Sequence, residues 1–236
     1  LDLSPSFDTC GWFARDVSTF ARVADVLLGE DPQSLPAAVR LLLPTDVWAL
    51  LDADVQHALA GARAQIESVL GTARPVQVVQ TSFDAMYWHF RYIQGREAWV
   101  TDGPLIERFA PPLGQGVAQR FAWSKAVTDE QVSAAQAFRT RYRAMLANLL
   151  GTDGVLLMPT MPDVAPLISA DEAGLESYRN RAIQMLCIAG LAGFPQLSLP
   201  LASRLGAPLG ISLLGPPGSD RSLVRLAERI SPSAAA

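Results

Sequence analysis

Lysine is nearly absent from this chain of 236 residues: Lys125 is the only one, and the other basic residues are arginines scattered without a run. The formal net charge is -4. No basic face is present to release counterions from phosphates, so nucleic acid is excluded as a partner. Two cysteines, Cys10 and Cys187, are too few and too far apart for a disulfide framework, and both read as buried, reduced thiols. Histidine is equally scarce. His57 and His89 fall in stretches with helical spacing, no Cys or His pair has ligand spacing, and no metal site is expected. No apolar run reaches the roughly 18 residues of a membrane span, and no basic-then-apolar opening marks a signal peptide. The expectation is a cytoplasmic protein that does not enter a membrane. Gly114 and Gly116 form GQG, but the preceding strand and third glycine of a dinucleotide fingerprint are missing, so no cofactor is expected. Ser212, in GISLLG, lacks the second glycine of a nucleophile elbow.

Apolar side chains make up half the composition, enough for a sizeable core. From Asp16 to Gly29, Phe20, Val23, Ala24, Leu27 and Leu28 share one helical stripe closed by a glycine. Val39 to Pro44 reads as a buried strand, Asp52 to Leu70 as an amphipathic helix, and PVQVVQ from Pro75 as a second strand. Strand, helix, strand is the pattern of a crossover unit. Thr81 to Trp99 is aromatic-rich: either a helix with a wide buried face or the wall of a pocket. Thr128 and Gln131 stand in capping-box register at the head of a helix ending at Leu150, with Arg139, Arg141 and Arg143 on a solvated face. Gly154 to Pro162 is a buried strand entering a proline-fixed loop. Glu176 to Leu201 is a helix turning into a proline-bounded strand, and LGISLLGPPGSDRSLVRLAERI gives strand, turn and a helix capped by Ser219 or Asp220. Strands alternating with helices argue for an α/β fold, a mixed β-sheet flanked by helices.

Three stretches carry a family resemblance. PSFDTCGWFARD resembles a segment that follows the glycine- and serine-rich signature of the amidase signature family, closest to its indole-acetamide-hydrolase-like branch. GVLLMPTMPDVAP, Gly154 to Pro166, resembles the family's strand and PT-x-P loop. AGLAGFPQLSLPLASRLGAPLGISLLGPPGSDRSLVRLA resembles its closing strands and helix. Ala189 or a neighbour stands where the family usually has Asn, and Ser212 where it usually has Gln.

The resemblance implies an incomplete amidase signature fold: residues 1-236 as the C-terminal part of a single amidase domain, with the N-terminal catalytic part absent. Family members cleave carboxamides through a lysine and two serines on that upstream segment. Nothing in RFAWSKAV, around Lys125, matches the lysine motif, so no catalytic residue is expected in this chain. Amide hydrolysis needs a nucleophile, a proton carrier and donors for the oxyanion, and this chain alone is expected to be inactive. By resemblance, Thr160 and Met161 in the PT-x-P loop and Ile188 and Ala189 further on are walls of a substrate cleft for a small-molecule amide. Trp88, Tyr92 and Gln94 cover it, and Asp8 and Thr9 support the catalytic loop or form a structural turn. The expected partners are the upstream half of the same protein or, at exposed edges, a second copy in a homodimer. The alternative is a non-catalytic amidase-like interaction or receptor module.

Overall fold

The computed structural model describes residues 2-231. In chain order the elements are α1 (Val17–Leu27), β1 (Arg40–Pro44), α2 (Thr45–Trp48), α3 (Ala53–Leu70), β2 (Arg74–Val76), α4 (Phe83–Phe109), α5 (Gln115–Lys125), α6 (Asp129–Leu150), β3 (Gly154–Pro159), α7 (Glu172–Ala192), β4 (Gln196–Arg204), β5 (Ala207–Leu214) and α8 (Asp220–Ile230). The strands form one mixed sheet in the order β2-β1-β3-β5-β4. β2, β1 and β3 run parallel, whereas β5 is antiparallel to both β3 and β4. The expected mixed sheet with flanking helices is therefore present, and α3 is the crossover between parallel β1 and β2.

Central strands buried on both faces read as continuous apolar runs. Leu41, Leu42, Val155, Leu156, Leu157, Ile211, Leu213 and Leu214 are all at most 2% exposed. On α3, Val55, Leu59, Ala62, Ile66 and Leu70 bury one face at three-and-four spacing, against β1, β4 and β5. α8 packs on α1, α3 and β4, while α4 packs on α5, α6 and α7. Among the described residues no helix is long and apolar enough to cross a membrane.

The capping box of α6 forms in both directions, Thr128 Oγ1 accepting from the Gln131 amide and Gln131 Oε1 from the Thr128 amide. At α8 Ser219, one of the two expected residues, is the N-cap, but its side chain does not cap the helix. Ser219 Oγ turns away to donate to the Pro216 carbonyl. A remote carboxylate, Asp31, instead accepts from the Arg221 and Ser222 amides and from Ser222 Oγ. An anion belongs at a helix N-terminus, but distance along the chain hid this one.

Other expectations change as well. α1 ends at Leu27 with Leu28 as an extended C-cap, not at Gly29. Of its stripe only Ala24 is fully buried, and Leu27 stays exposed. β2 stops at Val76, because the amides of Val78 and Val79 donate to Asp46 of α2 and not to a strand. Arg139 is not on a solvated face: its guanidinium donates to Ser6 Oγ and to the carbonyls of Ser6, Gly190 and Leu191. Cys10 is exposed, whereas Cys187 is buried and its thiol is pushed up to about 12 by desolvation. Finally, α4 continues past Trp99 through Pro104, and α5 was not expected. Its first residues follow Gly114, the start of the GQG run.

Candidate functional site

The segment that opens the chain is fastened by two charged side chains. Glu97 of α4 accepts from Ser4 Oγ at 2.6 Å and from the Ser6 amide at 3.0 Å. Arg139 of α6 grips Ser6 and lies 4.2 Å over the Phe7 ring, and Phe7 in turn packs on Phe90 with centroids 4.6 Å apart. Gly190 on α7 allows this approach, since a Cβ there would meet Phe90 at 3.2 Å. Asp8 accepts from the amides of Leu3 and Ser4 and closes the turn before it. Beyond that turn, Thr9, Cys10 and Trp12 line a cavity of about 470 Å³ with Ala189, Gly190, Phe194 and Asp220. Burial raises the Asp220 carboxyl above its ordinary range, with nearby Asp31 adding to the shift.

A second feature sits where β3 ends. Thr160 Oγ1 lies 2.8 Å from Ser198 Oγ on β4 and 2.7 Å from Ser212 Oγ on β5. A Cβ at Gly210 would come within 2.8 Å of Thr160 Oγ1 and 2.9 Å of Ser198 Oγ, so glycine is what lets the three hydroxyls meet. Each hydroxyl carries one hydrogen. Ser212 is fully buried, and Thr160 is its only side-chain partner among the described residues. Were Thr160 to donate to it, the Ser212 hydrogen would be buried without an acceptor, at a cost of about 1-3 kcal/mol. The chain of donation therefore runs Ser212 to Thr160 to Ser198. Exposed Ser198 keeps a hydrogen for an acceptor outside the protein. Sequence reasoning singled out Thr160 but missed Ser198; the signal available was a serine on the strand next to one already noted at 212.

The third feature is aromatic. Trp88 stacks on Tyr92 with centroids 5.7 Å apart, and Trp123 of α5 lies 6.1 Å from Trp88 and 6.2 Å from Tyr92. Gly95 makes room, because a Cβ there would fall 2.5 Å from Trp123 Cζ3. Trp88 and Trp123 line a cavity of about 640 Å³ bounded by α4, α5 and α7. Gln94 accepts from Arg91 at 3.3 Å and lines a neighbouring cavity of about 260 Å³. The sequence-derived residues are thus distributed: Thr160 in the hydroxyl chain, Met161 just after it, Ala189 in the first cavity, Trp88 and Tyr92 in the aromatic wall. Ile188 is wholly buried in the core beneath Ala189. Lys125 pairs with Glu107 and faces the Trp99 ring, with no serine as its partner.

Comparison with known proteins fixes the relationship. The family model described as Amidase matches residues 1–224. The chain belongs to the amidase family. Amidase 1 of Arabidopsis thaliana is 30% identical over 258 residues, and the match covers 97% of this chain but 61% of that protein. The chloroplastic Outer envelope protein 64 of Arabidopsis thaliana is 27% identical, with 99% of this chain matched to 44% of that protein. A crystal structure of an amidase superposes with a TM-score of 0.84 at 24% identity, covering 98% of this chain and 54% of the other, a likeness of fold. The chain therefore spans about half the length of the relatives it matches. These two relatives differ in kind, one named as an amidase and the other for an organelle envelope.

Proposed function

We propose that this chain is the C-terminal part of a single amidase domain in a carboxamide hydrolase, supplying scaffold and substrate-pocket walls to bond-breaking groups held on further polypeptide. The observation that carries the reading is coverage: nearly all of this chain matches 61% of Amidase 1. The exposed surface agrees with it. β4 is a sheet edge, and Phe13, Val26 and Leu27 of the opening region are exposed. Unpaired edges and apolar patches of this kind invite association, and the upstream half is the proposed occupant, a second copy the competing one.

In the assembled site the substrate is a small linear amide. Thr160 and Met161, Ala189 backed by Ile188, and the wall of Trp88, Tyr92 and Gln94 shape its cleft, while Asp8 and Thr9 hold the opening turn. General acid-base help contributes about 10² to 10⁴ in rate and each oxyanion donor about 10² to 10³. A chain without them does not turn over. The test is ammonia release from a panel of amides by this chain alone and by the chain joined to its upstream polypeptide. Turnover is expected only from the joined protein, and Thr160→Trp in it should change acyl preference. Hydrolysis by the isolated chain, abolished by a serine-directed inhibitor, would overturn the proposal.

A second reading, an amidase-like interaction module without turnover, draws on the similarity to Outer envelope protein 64. It predicts a joined protein that is folded yet inert on every amide. The proposed location is cytoplasmic; recovery of the protein with an envelope fraction would favour the module.

A further inference from the structure

The cavity between α4, α5 and α7 has a chemical character of its own. Its volume of about 640 Å³ lies within the range of about 300-1,000 Å³ typical of small-molecule sites. One wall is aromatic, from Tyr87, Trp88 and Trp123, with Tyr87 edge-on to Trp88 and Trp123 tilted 46° from it, and Leu175 and Ile183 line the cavity from α7. Three arginines reach the lining. Arg179 is paired with Glu176 at 2.6 Å, but Arg91 and Arg120 have no carboxylate partner among the described residues. Arg91 lies 4.9 Å over the Trp123 ring. Its side chain makes one hydrogen bond, to neutral Gln94, and its Nε is buried without a partner. A guanidinium cannot shed its charge, and a half-buried charge lacking a counter-charge is costly. Tyr87 donates to Asn180 Oδ1 at 3.1 Å, which turns the Asn180 amide hydrogens free for another acceptor. The opposing charges in the lining are Glu172, in the first turn of α7, and Glu176, paired with Arg179.

We propose that this cavity binds a planar aromatic carboxylate, its ring against Trp88 and its carboxylate between Arg91 and Arg120. The ring gains stacking on an exposed indole, and the anion supplies the counter-charge that Arg91 lacks, through the paired donors a guanidinium presents. This rests on the reading that Trp88 belongs to a ligand pocket, but it does not require that the chain take part in hydrolysis.

Isothermal titration of this chain with phenylacetate tests it, with phenylacetamide as the neutral isostere and cyclohexylacetate as the acid without a π face. One saturable site for phenylacetate is expected, with both comparison compounds at least tenfold weaker. Arg91→Met and Trp88→Ala should each weaken phenylacetate tenfold or more, Arg120→Gln severalfold, and Arg22→Met, on an exposed position of α1, not at all. Because Arg120 is exposed, its variant keeps the test valid should Arg91→Met fail to fold. Equal binding of the amide, or unaltered affinity in the arginine variants, overturns the carboxylate assignment; no saturable binding in the millimolar range overturns the site. Turnover by the joined protein without phenylacetate binding would refute this proposal alone. Binding without turnover would refute only the hydrolase reading.

Discussion

The helices around the sheet fall into two groups built on different principles. In the group of α1, α3 and α8, apolar positions recur with helical period and polar groups that go inside find partners. Asp31, for instance, answers two amides and a hydroxyl at the start of α8. In the group of α4 to α7, aromatic rings and arginines replace the regular apolar face. Among the described residues, three of the four buried side-chain polar atoms without a partner lie there: His89 Nδ1, Arg91 Nε and Tyr142 Oη. Buried polar groups are ordinarily satisfied, so unsatisfied ones mark where packing is not the sole demand. The first group is a support; in the second, Arg91 alone of these three lines the cavity between α4, α5 and α7.

The largest effect should come from the shared core. Leu157→Ala in β3, at a residue with no exposure, should cost about 2-5 kcal/mol of stability, read from urea unfolding, and should loosen both helix groups together. Asp31→Ala strips the acceptor from the head of α8 and should cost about 2-3 kcal/mol, combining a lost cap with donors left unsatisfied. An equal loss in Asp31→Asn would show that the charge, not the acceptor, matters.

Glycine to alanine changes separate the two groups by sign. Gly61 on α3 has nothing within 4 Å of a built Cβ, and Gly61→Ala should gain roughly 0.5-1 kcal/mol from helix propensity. At Gly95 the same change meets Trp123 at 2.5 Å; overpacking outweighs propensity, and a net loss of about 1 kcal/mol is expected, with altered tryptophan fluorescence. Stabilisation by both would erase the distinction.

The smallest effect is a pH dependence lodged in α4. Burial, and secondarily the charge of Arg141, lower the affinity of His89 for a proton. Below the ordinary histidine value of about 6.5 the unfolded chain then binds more protons than the folded one, so stability should fall as pH drops through that region. His89→Gln should flatten this segment of the stability profile while leaving the acid limb set by carboxylates in place.

How much of this was legible beforehand depends on range along the chain. The α6 capping box, the apolar face of α3 and the central strands follow from residues three or four apart, or from unbroken apolar runs, and the structure reproduces them. The three-stretch resemblance named the family that the comparisons established. Arg139 misled because alternate polar positions on a helix look alike from sequence. Only the fold shows that one of them turns inward to Ser6, across 133 positions. The strand expected from Pro75 stops early for a similar reason, since Asp46 takes the amides of Val78 and Val79 just beyond it.

The candidate site divides along the same line. Thr160 was visible as part of a proline-fixed loop, and Trp88 and Tyr92 as part of an aromatic run. That Thr160 meets Ser198 and Ser212, or that Trp123 and Arg91 complete the wall, was not visible, because these contacts join separate strands and helices.

The sequence by itself determined the fold class and the periodic elements, since hydrophobic period and local capping are written in near neighbours, and its three motif stretches carried the family resemblance. Only the tertiary structure decided which polar groups are satisfied and which arginines stand without a counter-charge. Burial and hydrogen bonding are properties of the space around an atom, and residues far apart in the chain supply that space.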